Sequence, residues 1–201
     1  MLSIIRNNNA TFYNYRNGKP VKRHLSLLLC LLVAALLTVG FRLNLEGFLG
    51  SVATAQSILV GFSFSVMFFL VSADPVLPPK DANSLEKRLK YKKLTKLVEE
   101  LFYNVSYFNL VAICCVLASI ALMLPIPSVE FVKPWLMEVL NAEGVKGLAV
   151  GWSAVRQLFY LLLLFVFYFA MLESIVAFYR TALRVSYFFE EKLKYDEGNR
   201  G

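Results

Sequence analysis

Few residues in this chain have the types and spacing that catalysis or metal binding requires. The sequence has one histidine, His24, and three cysteines, Cys30, Cys114 and Cys115, which stand in or beside long apolar runs. A metal ion needs three or four His, Cys or carboxylate ligands brought together, and the sequence shows no such cluster. Phosphate-binding loops and nucleophile motifs are absent as well. The sequence therefore predicts no catalytic residues, no metal and no cofactor, and it indicates that the protein is not an enzyme.

Two polar residues inside the apolar runs could act on ions or water. Gln56 and Glu173 are candidate gating residues, because polar side chains at membrane depth usually face protein or water. For Glu173 the alternative is an interfacial carboxylate that reaches headgroup water or Arg180, about two helical turns further on. Asn104 and Ser119 form a weaker polar face, for which hydrogen bonding between helices is favoured over a permeation path.

The elements that position these residues are four long apolar runs. The chain is 58% hydrophobic, which is more than a soluble domain of this length can bury. Each run is nearly free of charge and long enough to cross a hydrocarbon core of about 30 Å as a helix, whereas a β-barrel would show short alternating segments. The sequence therefore predicts an all-α integral membrane protein, a four-helix bundle whose spans cover residues 25–41, 52–72, 101–124 and 155–179.

The positive charges predict the orientation in the membrane. The net charge is +7, and 17 of the 21 basic residues lie before the first run, between the second and third, or after the fourth. Lysine and arginine residues that flank spans stay in the cytoplasm, so both termini are expected inside. The predicted cytoplasmic parts are residues 1–24, 73–100 and 180–201. The spans lie within residues 25–72 and 101–179, with a longer outer loop at residues 125–151.

Spans three and four continue well past the predicted membrane. Apolar residues recur at helical spacing, without Pro or Gly, from about Ser84 to Leu124 and from Trp152 to about Tyr195. Because consecutive spans are antiparallel, their extensions can pair as a cytoplasmic hairpin. Attraction to anionic lipid is one role for the basic residues of this hairpin. The other is partner binding, for which the candidates are Lys87, Arg88, Lys92, Lys93, Arg184 and Lys192.

Small residues recur at every fourth position along span two. They form a small-residue ridge, which lets helix backbones approach closely in a membrane. The ridge packs either within one subunit or at a subunit interface that could line a narrow path. Its members are Ala53, Ser57, Gly61 and Ser65.

The outer loop holds one further pattern of apolar residues on one helical face. A short helix lying at the outer interface fits this pattern, and a re-entrant pore segment is the alternative. The residues are Trp135, Leu136, Val139 and Leu140.

Span two contains the segment AQSILVGFSFS, from Ala55 to Ser65, and a charged hairpin follows it. These features resemble the KwaA family, the membrane component of the Kiwa anti-phage defence system. The resemblance implies a bacterial inner-membrane protein that assembles into a homo-oligomer, a tetramer in the family. It also implies a cytoplasmic, DNA-binding partner protein of the KwaB type, and no direct contact of this chain with nucleic acid. A retron-associated membrane effector is similar in the same features and remains the alternative.

Two functions are consistent with these observations. The first is a membrane sensor or scaffold that engages a cytoplasmic partner through its basic helical hairpin. The second is a pore-forming effector that depolarises the cell during abortive infection. A transporter is disfavoured, because the sequence shows no inverted repeat and only one acid at membrane depth.

Overall fold

The computed structural model describes residues 2–13, 22–40, 45–72, 85–124 and 142–200. Four of its helices are long and apolar enough to cross a membrane, which makes the protein a helical, multi-pass membrane protein. In chain order the helices are α1 (Leu2–Ala10), α2 (Arg23–Gly40), α3 (Leu45–Ser72), α4 (Leu85–Met123) and α5 (Ala142–Arg200).

The bounds of the two longest helices test the predicted extensions. Helix α4 runs without interruption from Leu85 to Met123, which confirms the predicted third helix. Helix α5 begins at Ala142 rather than near Trp152, so residues 142–151 of the predicted outer loop are helical. Gly144, Gly147 and Gly151 do not end the helix, because an isolated glycine weakens a helix by only about 1 kcal/mol relative to alanine. The predicted interfacial helix around Trp135 lies outside the described residues.

Helix α4 is the central element of the fold. It packs against α5, α3 and α1, whereas α2 packs against α5. Contacts between α4 and α5 pair rising residue numbers on one helix with falling numbers on the other, so the two helices are antiparallel. The pairs are Lys93 with Glu191, Glu100 with Arg184, and Tyr107 with Glu173.

Buried apolar side chains form a separate core at each end of the α4–α5 pair. At one end α4 and α5 share a core with α2 and α3, formed by Ala34, Leu49, Cys115, Ala118, Leu164, Phe167, Tyr168 and Ala170. At the other end the core consists of Leu70, Leu94, Leu97, Leu101, Phe188 and Tyr195. We call this second end, residues 85–101 of α4 and 181–197 of α5, the stalk.

Helix α3 buries a seam with a seven-residue period. Its buried side chains are Leu49, Gln56, Ser63 and Leu70. A period of seven keeps these residues on one face of the helix, whereas the small-residue ridge has a period of four and moves progressively away from that face. Beside the seam, Leu59 and Val66 are partly buried and pack against core clusters.

Candidate functional site

Glu173 lies at a junction of three helices. It is only 4% exposed, and the hydroxyl of Tyr107 on α4 donates a hydrogen bond to its Oε1 at 2.8 Å. Arg23 of α2 donates from Nη2 to the Tyr107 hydroxyl oxygen at 2.8 Å, and the same Nη2 is 3.8 Å from Glu173 Oε1. The carboxylate is therefore paired with a cation and held by a hydrogen bond, so its burial is compensated.

The cation that pairs with Glu173 is Arg23, and not Arg180 as the sequence had suggested. Arg180 instead lies over the ring of Phe12, with its guanidinium carbon 3.3 Å from the ring centroid. Helical spacing could relate Glu173 only to residues of its own helix, and the actual partner comes from a helix far away in sequence. Because Arg23 is the first residue of α2, Glu173 lies near one end of that span rather than at its middle.

Gln56 is brought to the same level as Glu173. Its Nε2 donates to Ser174 Oγ at 2.7 Å, and Ser174 in turn donates to the backbone carbonyl of Met171 at 2.8 Å. The two candidate gating residues thus meet through adjacent positions of α5. Gln56 Oε1 is buried and has no partner among the described residues. We call the group of Arg23, Gln56, Tyr107, Glu173 and Ser174 the polar layer.

Further polar residues of α3 and α4 also form side-chain hydrogen bonds. Ser63 of α3 donates to Asn109 Oδ1 of α4, and Asn109 Nδ2 lies 3.4 Å from the sulfur of Met67. Asn104 Oδ1 accepts from the Thr11 hydroxyl at 3.1 Å. Ser119 instead donates to the carbonyl of Cys115 in its own helix, at 3.0 Å. Asn104 therefore bonds to the turn that follows α1, and the predicted hydrogen bond to another helix is not seen among the described residues.

The chemistry available in the polar layer is the pairing of charges. One arginine, one tyrosine and one carboxylate pair across three helices, while Nε and Nη1 of Arg23 are buried without a hydrogen-bond partner among the described residues. Among the described residues, no group of three or more His, Cys, Asp or Glu side chains could hold a metal ion. The layer therefore holds helices together, and it could act on an ion only after its internal pairs had separated.

We call the N-terminal residues 2–13 the strap. The sequence did not predict that they pack on the helices of the spans. Helix α1 packs on α4, and Ile4 and Ile5 pack against a core cluster that includes Tyr107 and Phe108. The Tyr13 hydroxyl lies 2.7 Å and 2.6 Å from the two carboxylate oxygens of Glu100. A nine-residue helix gives only a weak periodic signal, so the strap could not be recognised from its pattern alone.

Arg184 was predicted as a partner-binding residue, but in the structure its side chain is buried. Its side chain is 1% exposed, and its Nη1 lies 3.6 Å from Glu100 Oε2. It also donates to the backbone carbonyl of Thr11 in the strap. Arg184 was assigned to the exposed basic face because it follows the fourth span, but the strap covers it.

The remaining predicted partner-binding residues lie on the surface of the stalk. Arg88, Lys92 and Lys93 are exposed, and Lys87 and Lys192 are half-buried. Lys96, which was not predicted as a binding residue, is exposed as well. Residues four apart share one face of a helix, so three exposed cations line one face of α4. We call Arg88, Lys92 and Lys96 the basic stripe.

Lys93 differs from the basic stripe because it has a partner on α5. Its Nζ donates to Glu191 Oε2 at 2.8 Å and lies 5.4 Å from the Tyr187 ring centroid. Partial burial acts to lower the pKa of Lys93, but the hydrogen bonds and charges of Glu191 and Tyr187 outweigh it and raise that pKa. Lys93 therefore stays charged and joins the two helices of the stalk.

The small-residue ridge is mostly left uncovered by the part of the chain that the structure describes. Ser57, Gly61 and Ser65 are exposed, Ala53 is half-buried, and no atom of another described element lies within 4 Å of a methyl group placed on Gly61. The Ser57 hydroxyl is satisfied by the carbonyl of Ala53 at 2.8 Å, so it presents a nearly apolar surface. Large aromatic side chains flank the ridge, with Phe62 exposed by 62% and Phe68 by 74%.

The chain was compared with protein families, curated proteins and solved structures. No family model matches it, and no curated protein or solved structure matches it either. The similarity to the Kiwa membrane component stays a prediction that rests on the sequence of span two and on the charged hairpin.

Proposed function

We propose that this protein is an oligomeric sensor or scaffold of the bacterial inner membrane that engages a soluble cytoplasmic partner through its stalk. The observation that carries the proposal is the basic stripe, three exposed cations at helical spacing on the part of α4 that extends beyond the apolar spans. The resemblance to the Kiwa family supports anti-phage defence as the setting and a DNA-binding protein of the KwaB type as the partner.

The length of α4 supports a stalk outside the membrane. Helix α4 has 39 residues, which at 1.5 Å per residue gives about 58 Å, roughly twice the hydrocarbon thickness. Exposed charged residues occupy its first part, from Glu86 to Glu99, and the exposed side chains from Ile113 onward are mostly apolar. The charged part is therefore the one that lies in water, with helix α5 packed beside it.

The distribution of basic residues supports placing the stalk and both termini in the cytoplasm. The described basic residues beyond the stalk end of the spans, such as Arg6 and Lys22, lie on the same side as the basic stripe, whereas Arg156 lies near the opposite end of α5. This asymmetry follows the rule that positive charges flanking spans remain inside.

The exposed small-residue ridge supports a homo-oligomer. In a membrane, small residues let helices approach closely, and none of the described residues fills the space in front of Gly61. We propose that the ridge packs against another subunit, in a tetramer if the family resemblance holds. Gly61→Leu places a large side chain in this interface, so the variant should elute as a smaller species than the wild-type protein in detergent size-exclusion chromatography.

Charge reversal in the basic stripe tests the proposed contact with a partner. The variant Arg88→Glu/Lys92→Glu/Lys96→Glu should lose the soluble protein that co-purifies with the wild-type chain, because an acidic partner surface would now be repelled. A control, Lys22→Glu/Arg156→Glu, reverses two charges at exposed positions outside the stripe, the stalk and the strap, and it should still retain the soluble protein. Normal partner retention by the stripe variant, with membrane insertion intact, would exclude this surface.

The alternative function is a pore-forming effector, and the polar layer is the observation that favours it. The polar groups of this layer pair with one another within one subunit, so a conducting path would have to form between subunits beside the ridge. A pore predicts that triggered cells lose membrane potential and that Glu173→Ala or Gly61→Leu prevents the loss. A sensor predicts that a potential-sensitive dye reports no change when the wild-type protein is triggered.

A further inference from the structure

The strap covers a buried ion pair without adding a charge to it. Tyr13 contributes a hydroxyl hydrogen bond to Glu100, and Thr11 contributes a backbone carbonyl to Arg184. Glu100 and Arg184 balance each other's charge whether or not the strap is in place. Because the strap supplies only neutral groups, water can replace them when it lifts, and no unpaired buried charge is created.

Some polar atoms lie buried where the strap packs on α4 and have no hydrogen-bond partner among the described residues. Both polar side-chain atoms of Asn8, and Nδ2 of Asn104, have no hydrogen-bond partner among the described residues. A buried polar atom without a partner disfavours the state that buries it. Lifting the strap would expose these atoms to water, so the closed position carries a cost that opening removes.

The end of the strap lies beside the basic stripe. A polar cleft of about 270 Å³ separates the strap from α4, and Thr11, Tyr13, Lys96 and Glu100 are among the residues that line it. Lys96 is the last residue of the stripe, and Glu100 follows it one helical turn later. A lifted strap would therefore expose Arg184 and Glu100 next to the surface proposed to bind the partner.

We infer that the strap is a reversible closure: closed, it buries the Glu100–Arg184 pair, and open, it adds Arg184 to the surface that binds an acidic segment of the soluble partner. The partner in this inference rests on the proposed function, but the opening of the strap does not. The strap and the partner compete for the same face of the stalk, so weakening the strap should strengthen partner binding.

Thiol labelling measures the opening without any partner. A cysteine is introduced by Asn8→Cys in a chain whose Cys30, Cys114 and Cys115 are replaced by alanine. The Asn8 side chain makes no hydrogen bond among the described residues, so this change removes none of the strap's bonds. The introduced thiol should react more slowly with a maleimide than one introduced by Asn9→Cys, because Asn9 is exposed.

Tyr13→Phe should then raise the labelling rate at position 8 by about tenfold or more, because it removes a hydrogen bond to a carboxylate. Tyr103→Phe is the matched control: Tyr103 lines the same cleft, but its hydroxyl makes no hydrogen bond to the described residues, and it should leave the rate unchanged. Equal rates for Tyr13→Phe and its parent, or fast labelling in the parent itself, would overturn the closure.

Partner retention tests the competition separately. Tyr13→Phe should retain several times more of the soluble protein that co-purifies with the wild-type chain. Faster labelling without increased retention, for a chain that does bind a soluble protein, would overturn the competition. If the wild-type chain and every variant retain no soluble protein, the proposed function fails, while the labelling rates still decide whether the strap opens.

Discussion

Two of the ion pairs between α4 and α5 differ sharply in their exposure to water. Glu100–Arg184 is buried, with both side chains less than 10% exposed, whereas Lys93–Glu191 lies one heptad away with the Lys93 side chain 51% exposed. The strap contacts the first pair, through the hydroxyl of Tyr13 and the backbone carbonyl of Thr11. An element from the N-terminus thus contributes to the burial of this pair.

The two pairs should therefore respond differently to the loss of one partner. An exposed pair loses little, because water solvates the charge that remains. A buried pair leaves an uncompensated charge in a poorly solvated place, which is far more costly. The following substitutions test whether this contrast holds, from the largest expected effect to the smallest.

Arg184→Leu should have the largest effect. It leaves the Glu100 carboxylate buried beside Tyr13 without its cation, which should destabilise the folded chain by about 3–5 kcal/mol. Thermal unfolding in detergent would report the loss. The double variant Glu100→Leu/Arg184→Leu should recover much of it, because no charge then remains buried. A loss below about 1 kcal/mol for the single variant would place Arg184 in contact with water.

Tyr13→Phe should have an intermediate effect. It removes the hydroxyl that bonds to the Glu100 carboxylate and keeps the ring beside Arg184. The expected loss is about 1.5–3 kcal/mol, as for other hydrogen bonds to charged groups, measured in the same unfolding experiment. Tyr103→Phe serves as the control and should change stability by less than about 0.5 kcal/mol. Equal losses for the two variants would show that the strap does not rest on Glu100.

Lys93→Ala should have the smallest effect. Its partner Glu191 can be solvated when the lysine is lost, so the cost should be about 0.2–1 kcal/mol. A double-mutant cycle with Glu191→Ala isolates the pair, and its coupling energy should fall as salt is raised. A coupling energy above about 2 kcal/mol that does not depend on salt would mean that this pair is as well shielded as Glu100–Arg184.

The sequence predicted the elements better than their contacts. The four spans and the uninterrupted α4 follow from hydropathy and the absence of Pro and Gly, which are properties of a local stretch of chain. The partner of Glu173 could not be predicted this way, because Arg23 is brought to it by tertiary packing. Gln56 was predicted as a gating residue, and that role stays a prediction; its burial and its hydrogen bond to Ser174 depend on tertiary packing as well.

Arg184 shows where reasoning from local pattern fails. A cation just beyond a span is predicted to be exposed, and only a segment distant in sequence can bury it. That segment, the strap, has a short helix with several asparagines and a weak apolar face, so nothing in its own sequence predicts that it docks. The outward-facing ridge was also undecided by sequence, because small residues serve packing within and between subunits equally well.

Site-specific photo-crosslinking in living cells tests the central claim, contact between the basic stripe and a soluble partner, most directly. A photoreactive residue replaces Lys92 in the full-length chain, and a second chain carries it at Leu117, which is exposed on the apolar part of α4. We predict a covalent adduct with one soluble protein from the position of Lys92 and none from that of Leu117. No soluble adduct from either position, in a chain correctly inserted in the membrane, would contradict it.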